Sequence, residues 1–235
     1  MMKVLIFAAA LLVCAGQVSA QEAHLYDLYY GLPGAKGALG VDVGVASSDL
    51  NSIGDATDLP IMAKYGVSDQ LEVGARITSG VLSDTRDSFS SILAGGKYKL
   101  GESNAVSANA LLPIGDAKDL GLSVGYMMDM EAAGLMWHNH LQVGLLDGYA
   151  ADGINLDLLL EPTKELNDKL IGYLDILIAT NTDQIGDNLG INLGPNVDYL
   201  LSDSMAINAG VTLGITGEAK ADDIGLSVTL LTYVR

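Results

Sequence analysis

Apolar residues alternate one for one with polar or small residues along most of this chain, and that period of two limits the fold more than any other feature. In 189–201 the odd positions carry Leu189, Ile191, Leu193, Pro195, Val197, Tyr199 and Leu201. The even positions carry Gly190, Asn192, Gly194, Asn196, Asp198 and Leu200. In 205–215, Met205, Ile207, Ala209, Val211, Leu213 and Ile215 alternate with Ala206, Asn208, Gly210, Thr212 and Gly214. In 71–78, Leu71, Val73, Ala75 and Ile77 alternate with Glu72, Gly74, Arg76 and Thr78. A β-strand turns successive side chains to opposite faces, so each segment has one greasy face and one wet or small face.

About twelve such segments follow one another, near 37–46, 59–66, 70–79, 91–100, 104–113, 119–129, 134–146, 153–161, 169–180, 188–201, 204–215 and 223–234. Two are less regular. Leu170, Leu174 and Ile178 also fit helical spacing, and the run Leu158-Leu159-Leu160 blurs the alternation in 153–161. Most segments run to roughly 8–14 residues, and a tilted membrane strand needs roughly 9–11. The connections are of two alternating kinds. Those at 66–69, 101–104, 131–134 and 202–204 are tight, with 162–168 somewhat longer. Those at 47–58, 80–90, 115–119, 147–153, 181–188 and 217–223 are generally longer and rich in Asp. Tight turns on one side, longer loops on the other and an even strand number predict an all-β fold. It is a closed antiparallel transmembrane β-barrel of about twelve strands over 37–235, with both termini at the short-turn, periplasmic end.

Composition agrees with that segregation. The chain is 49% apolar and 17% charged, with a formal charge of −17, yet its mean hydropathy is +0.33. Such acidity excludes a nucleic-acid partner, which needs a basic face. Residues 1–20 read as a secretory signal of bacterial type: Lys3, then an apolar run from Val4 to Val13, then the small-residue site Val18-Ser19-Ala20. Cleavage after Ala20 removes Cys14, the one cysteine, and with it any disulfide or thiol chemistry. Residues 21–36 form an N-terminal extension that fits a periplasmic arm, an interior plug or a further strand. No stretch after residue 20 offers eighteen consecutive apolar residues, so a membrane-spanning helix is excluded.

Large amphipathic rings recur at one level of the expected barrel. Tyr65, Tyr98, Tyr126, Tyr199 and Tyr233 fall near the ends of descending strands, and Trp137 and Tyr173 near the starts of the next ascending ones. Together they are expected to form an interfacial girdle. At this point the sequence resembles the Gram-negative outer-membrane β-barrel proteins. More narrowly, it resembles the transporter-like barrels grouped with meta-pathway phenol-degradation proteins, through the phrases AKYGVSDQLEVG (63–74) and GPNVDYLLSD (194–203). The resemblance spans 37–235. It implies a pore or transporter for small compounds, without enzyme activity. The chain departs from the wider class in ending Tyr233-Val234-Arg235 rather than on an aromatic residue, and in carrying Pro195 inside an expected strand.

With the greasy faces toward lipid, the alternate residues line the lumen: Asp42, Lys64, Glu72, Arg76, Lys97, Lys99, Asn109, His138, His140, Asp157, Glu161, Asp175, Asn192, Asn196 and Asp198. Glycines interleave them, either keeping the lumen open or relieving crowding in a curved sheet. Lys64, Arg76, Lys97 and Lys99 fall in the second to fourth strands, whereas Asp157, Glu161, Asp175 and Asp198 fall in the eighth to tenth. In a ring of twelve those groups face one another, which either sets up a transverse field or bridges and plugs a narrow barrel. Acidic outer loops would concentrate cations at the mouth. His138 and His140 form His-x-His, but no cysteine remains and His24 is the other histidine, so no metal site is expected. Gly121-Leu122-Ser123-Val124-Gly125 has the Gly-x-Ser-x-Gly spacing but lies inside the alternating segment 119–129 rather than at a strand-to-helix turn, so no lipase elbow is expected. The absence of Gly-Lys-[Ser/Thr] leaves no P-loop. The reading is an outer-membrane channel passing small hydrophilic or amphipathic solutes, modestly cation-preferring, with no cofactor. Its partners are the lipid bilayer, lipopolysaccharide, a small solute and the barrel-insertion machinery. Two alternatives stay open: a non-conducting structural or adhesion barrel, and a secreted soluble β-barrel whose apolar faces point inward around a ligand.

Overall fold

The computed structural model describes residues 36–47, 57–80, 91–112, 114, 120–146, 153–182, 189–202, 204–216 and 224–234. Expectations for the signal segment, for 21–35 and for most of the acidic loops lie outside these residues. Within them the chain forms β1 (Leu39–Ser47), β2 (Thr57–Gly66), β3 (Leu71–Ser79), β4 (Ser91–Lys99), β5 (Asn104–Leu112) and β6 (Gly121–Ala132). It continues through β7 (Leu135–Leu146), β8 (Asn155–Asn167), β9 (Leu170–Asn181), β10 (Gly190–Ser202), β11 (Met205–Thr216) and β12 (Gly225–Val234). Each strand pairs antiparallel with its sequence neighbours, and β1 pairs with β12, closing a barrel of twelve strands. Closure leaves no sheet edge, so every strand finds backbone partners on both sides. Among the described residues no helix is long and apolar enough to cross a membrane.

The ladder is sheared. The row of partners that starts at Asp42, near the short-turn end of β1, passes through Met62, Arg76, Leu93 and Leu111. It leaves the sheet at Gly121, the opposite end of β6. A climb of this kind is what tilts strands by roughly 35–45° in a closed barrel. Alternation decides the faces. Val73, Ile77, Tyr98, Val106, Leu122, Val124, Tyr126, Leu141 and Leu226 are exposed on the outside, while Asp42, Glu72, Lys97, Gln142, Asn155 and Asp157 are buried inside. That inverts a soluble protein, in which charge faces water and leucine is covered. An apolar belt running around the whole circumference is far larger than the exposed patch a soluble monomer tolerates. The soluble alternative, with apolar faces turned inward, is the reverse of what the fold shows.

The short turns are built from local hydrogen bonds. Ser68 Oγ accepts from the amides of Gln70 and Leu71, Ser202 Oγ from the amide of Ser204, and Asn167 Oδ1 from the amide of Lys169. Between β6 and β7, Ala132 pairs with Leu135, leaving two residues, Ala133 (φ 55°) and Gly134 (φ 73°), in the left-handed region. Two successive positive φ values match the twist of a tight antiparallel hairpin.

Two sequence expectations change, and two less regular strands hold. Residues 162–167, expected in a longer connection, extend β8, and the turn shrinks to Asp168 and Lys169. Pro162 is accommodated in the ladder opposite Trp137. Asp58, expected in an outer loop, is buried in β2. The stretch 169–180, which also fits helical spacing, is strand because β8 and β10 both pair with it. Pro195 lies on the exposed face of β10 opposite Leu174 of β9. On the β11 side the pairing skips from Leu193↔Leu213 to Asn196↔Gly210 in one register, so the missing N–H opens a gap without displacing the strand.

Candidate functional site

The inner wall is the candidate site, and it divides into three sectors. On β1–β4 the cations are compensated within their own wall. Lys64 Nζ lies 3.4 Å from Asp42 Oδ2, and Lys97 Nζ lies 3.5 Å from Glu72 Oε1. Side-chain exposure is only 1% for Lys97 and 5% for Glu72, so this second pair is withdrawn from solvent. Lys99 closes the sector at the short-turn end of β4. Arg76 differs from both pairs. It is half-buried, its Nε is covered, and it has no hydrogen-bond or ion-pair partner among the described residues. The facing rows of unlike charge expected from sequence are therefore weaker than the count of lysines suggests, because Asp42 and Glu72 neutralise two of the cations locally.

On β5–β7, Asn109 Nδ2 donates to Ser123 Oγ (3.3 Å), and His138 Nδ1 meets Asp129 Oδ1 at 2.9 Å. His140 is buried two residues further along the same face, where its Nε2 and Ser107 Oγ both crowd the space above Gly125. The two imidazoles thus have different neighbours. Among the described residues no group of three His, Cys, Asp or Glu side chains is placed to hold a metal ion.

On β8–β11 the carboxylates keep company with amides and hydroxyls. Asn196 Nδ2 donates to Asp175 Oδ2 (2.8 Å) and to the carbonyl of Gly194 (2.7 Å). Asn208 Nδ2 donates to Asp198 Oδ1 (2.7 Å) and to the Tyr173 hydroxyl, which itself reaches Asp198 Oδ1 at 3.5 Å. Thr163 Oγ1 reaches Glu161 Oε1 at 3.5 Å. Among the described residues neither Glu161 nor Asp198 forms an ion pair; His138, opposite Glu161 in the β7–β8 ladder, is bonded to Asp129 instead.

The glycines have a more specific role than either sequence reading proposed. Lys64 lies across Gly40, Asn109 across Gly95, and Asn196 across Gly210, each so near that a Cβ on the glycine would overlap it. A glycine on the inner face is a seat into which the neighbouring strand lays a polar side chain flat against the wall.

Asn192, Asn155, Asp157 and Gln142 also lie buried on this face. Sequence reasoning missed Tyr173 and Asn208 as members of the β8–β11 network, and four buried apolar residues of the inner wall, Leu93, Leu111, Met127 and Leu159. Of the expected girdle, Tyr65, Tyr98, Tyr126 and Tyr199 are exposed on the outer face, and Trp137, also outward, donates from Nε1 to the Ala132 carbonyl (3.2 Å). Tyr173 does not belong to it: its hydroxyl is engaged by Asp198 and Asn208 on the inside. Tyr233 pairs with Gly40 in the β1–β12 ladder.

A closed twelve-stranded antiparallel barrel with an apolar exterior and a polar, glycine-seated interior defines the fold class of the outer-membrane channel barrels. The KdgM porin is similar at a TM-score of 0.58 and 8% identity, covering 83% of this chain and 99% of its own. The NanC porin is similar at 0.56 and 10%, covering 84% and 100%. An outer-membrane channel from Pseudomonas putida F1 is similar at 0.55 and 11%, covering 87% and 98%. At such identities the likeness is one of fold. No protein-family model matches the sequence, and no curated relative matches it.

Proposed function

We propose that this protein is an outer-membrane channel for small hydrophilic or amphipathic solutes, with a modest preference for cations. The observation that carries the reading is the inside-out barrel: exposed Val, Leu and Tyr around the outside, and charged and amide side chains around an enclosed axis. The cation preference rests on the uneven compensation of the wall. Lys64 and Lys97 are paired on β1–β4, whereas Glu161 and Asp198 on β8 and β10 meet only uncharged donors and another carboxyl. The fold neighbours are porins and channels, which supports transport over catalysis. In this reading residues 1–20 direct export, the barrel is inserted by the outer-membrane assembly machinery, and the acidic loops meet lipopolysaccharide through divalent cations. Kinship with the meta-pathway transporter-like barrels rests on the phrase 63–74, which forms the end of β2, its turn and the start of β3, and on 194–203, most of which lies in β10.

Planar-bilayer recording of the purified, folded protein tests this. Discrete current steps, with a reversal potential shifted toward that of the cation in a salt gradient, are the expected result. A folded, heat-modifiable barrel that gives no steps would overturn the channel reading. A second reading, a filled structural barrel, is favoured by the burial of inner side chains such as Lys97 and Gln142, and it predicts that null record.

A further inference from the structure

Among the described residues Arg76 is a cation of the inner wall without a partner, and its setting says what it would bind. Its ladder neighbours are Met62 on β2 and Leu93 on β4, with Leu111 next in the row on β5. Leu93 and Leu111 are fully buried, so half-buried Arg76 adjoins apolar wall on its β4–β5 side. In such surroundings an attraction between opposite charges is screened far less than in bulk water. The inner-face residues before and after it on β3, Gly74 and Thr78, bring no charge; of the inner carboxylates on β1–β3, Asp42 and Glu72 lie against Lys64 and Lys97, and Asp58 is buried four residues from Met62 on β2. A guanidinium presents a planar fork of donors that suits a carboxylate bidentately.

The opposite wall narrows the choice of anion. In a closed ring of twelve, β3 lies six strands from β9, and β2 and β4 likewise face β8 and β10. Arg76 therefore looks across the barrel toward the sector that carries Glu161, Asp175 and Asp198. Twelve strands tilted by about 40° make a ring roughly 24 Å across between backbones, so inward-reaching side chains leave a gap on the order of 10–15 Å. A polyanion held at Arg76 would meet the repulsion of the facing carboxylates. A solute with one carboxylate and an amine several carbons away would be favoured at both ends.

We infer that Arg76 is the carboxylate-recognition residue of the lumen, and that it selects zwitterionic solutes whose amino end is drawn toward β8–β10. The inference rests on the channel reading for its biological sense, but binding can be measured apart from conduction. Ligand-observed NMR titrations of the full-length protein in detergent would use 6-aminohexanoate, hexanoate and hexylammonium as probes. The wild type is expected to bind 6-aminohexanoate more tightly than hexanoate. Arg76→Gln is expected to weaken both by at least tenfold, Arg76→Lys to retain part of the affinity, and hexylammonium binding to be no weaker in Arg76→Gln than in the wild type. Affinities within twofold of wild type in folded Arg76→Gln would overturn the inference, as would failure of the folded wild type to bind either carboxylate. Bilayer recordings separate the two readings. Arg76-dependent binding without current defeats the channel and leaves the site, whereas current without Arg76-dependent binding defeats the site and leaves the channel.

Discussion

Replacing Gly210 by alanine tests whether the inner wall is held by side chains laid across glycines. A Cβ at position 210 would overlap Asn196 Oδ1, with Asn196 Cγ at 2.8 Å and Ser227 Oγ at 3.0 Å. Asn196 cannot yield cheaply, because its Nδ2 is bonded to Asp175 Oδ2 at 2.8 Å and to the Gly194 carbonyl at 2.7 Å. Swinging the amide away breaks one charge-assisted bond, worth about 1.5–3 kcal/mol, and one neutral bond, worth about 0.5–1.5 kcal/mol. Against that, alanine gains roughly 0.5–1 kcal/mol over glycine inside a strand. The net expectation is a loss of roughly 1–4 kcal/mol. Urea unfolding in phospholipid vesicles, followed by the fluorescence of Trp137, the single tryptophan, reads it directly.

The mechanism is separable from a general intolerance of side chains at this position. In an Asn196→Ala background the obstructing amide is gone, so Gly210→Ala is expected to cost close to nothing there, or to stabilise slightly. The coupling energy of the double-mutant cycle should then account for most of the single-mutant loss. Gly144 supplies the control. Its added methyl would meet Asn155 Cβ at 3.3 Å, a contact relieved by a few tenths of an ångström, and a loss under about 1 kcal/mol is expected. If Gly210→Ala is as damaging without Asn196 as with it, the seating argument is wrong.

Two further substitutions follow from the same wall and its turns. Lys97→Met leaves Glu72 as a buried carboxylate that has lost its ion-pair partner, an expected loss of about 3–5 kcal/mol, whereas the double change Lys97→Met with Glu72→Leu should recover most of it. The unfolding midpoint in urea checks both, and a double variant no better than the single one would refute the pairing. Ala133→Asn places a residue suited to left-handed backbone at φ 55°, ahead of Gly134. It is expected to stabilise the β6–β7 hairpin by roughly 0.5–1 kcal/mol, and a lowered midpoint would count against the turn geometry.

Most of the architecture was legible because a membrane barrel writes its topology in a short-range code. Each strand is about as long as the apolar layer is thick, every connection joins neighbours, and period two separates the faces without help from distant residues. The errors fell where a second requirement competed with that code. Pro162 and the charged run after it read as a turn, yet β7 and β9 offer pairing that carries β8 on to Asn167. Tyr173 was drawn to the girdle by its place near a strand start, although it shares parity with Asp175. An inward aspartate two residues away already fixes the face of the ring. The pairing of Lys97 with Glu72, by contrast, was not visible, since it depends on the β3–β4 register rather than on either strand alone. Nor were the inward leucines and methionine, which no alternation of polarity marks.

These inward apolar residues bear on how such a barrel can conduct at all. A wall made only of paired charges and amides would close on itself by cross-linking, because every polar group seeks a partner and the nearest are across a narrow lumen. Leu93, Leu111, Met127 and Leu159 have no such demand, and they interrupt the polar wall on β4, β5, β6 and β8. Glycine seats then hold the long polar side chains flat along the sheet instead of letting them reach across it. The two devices act in the same direction. Each satisfies the wall within itself, which is what the proposed channel requires of its inner face.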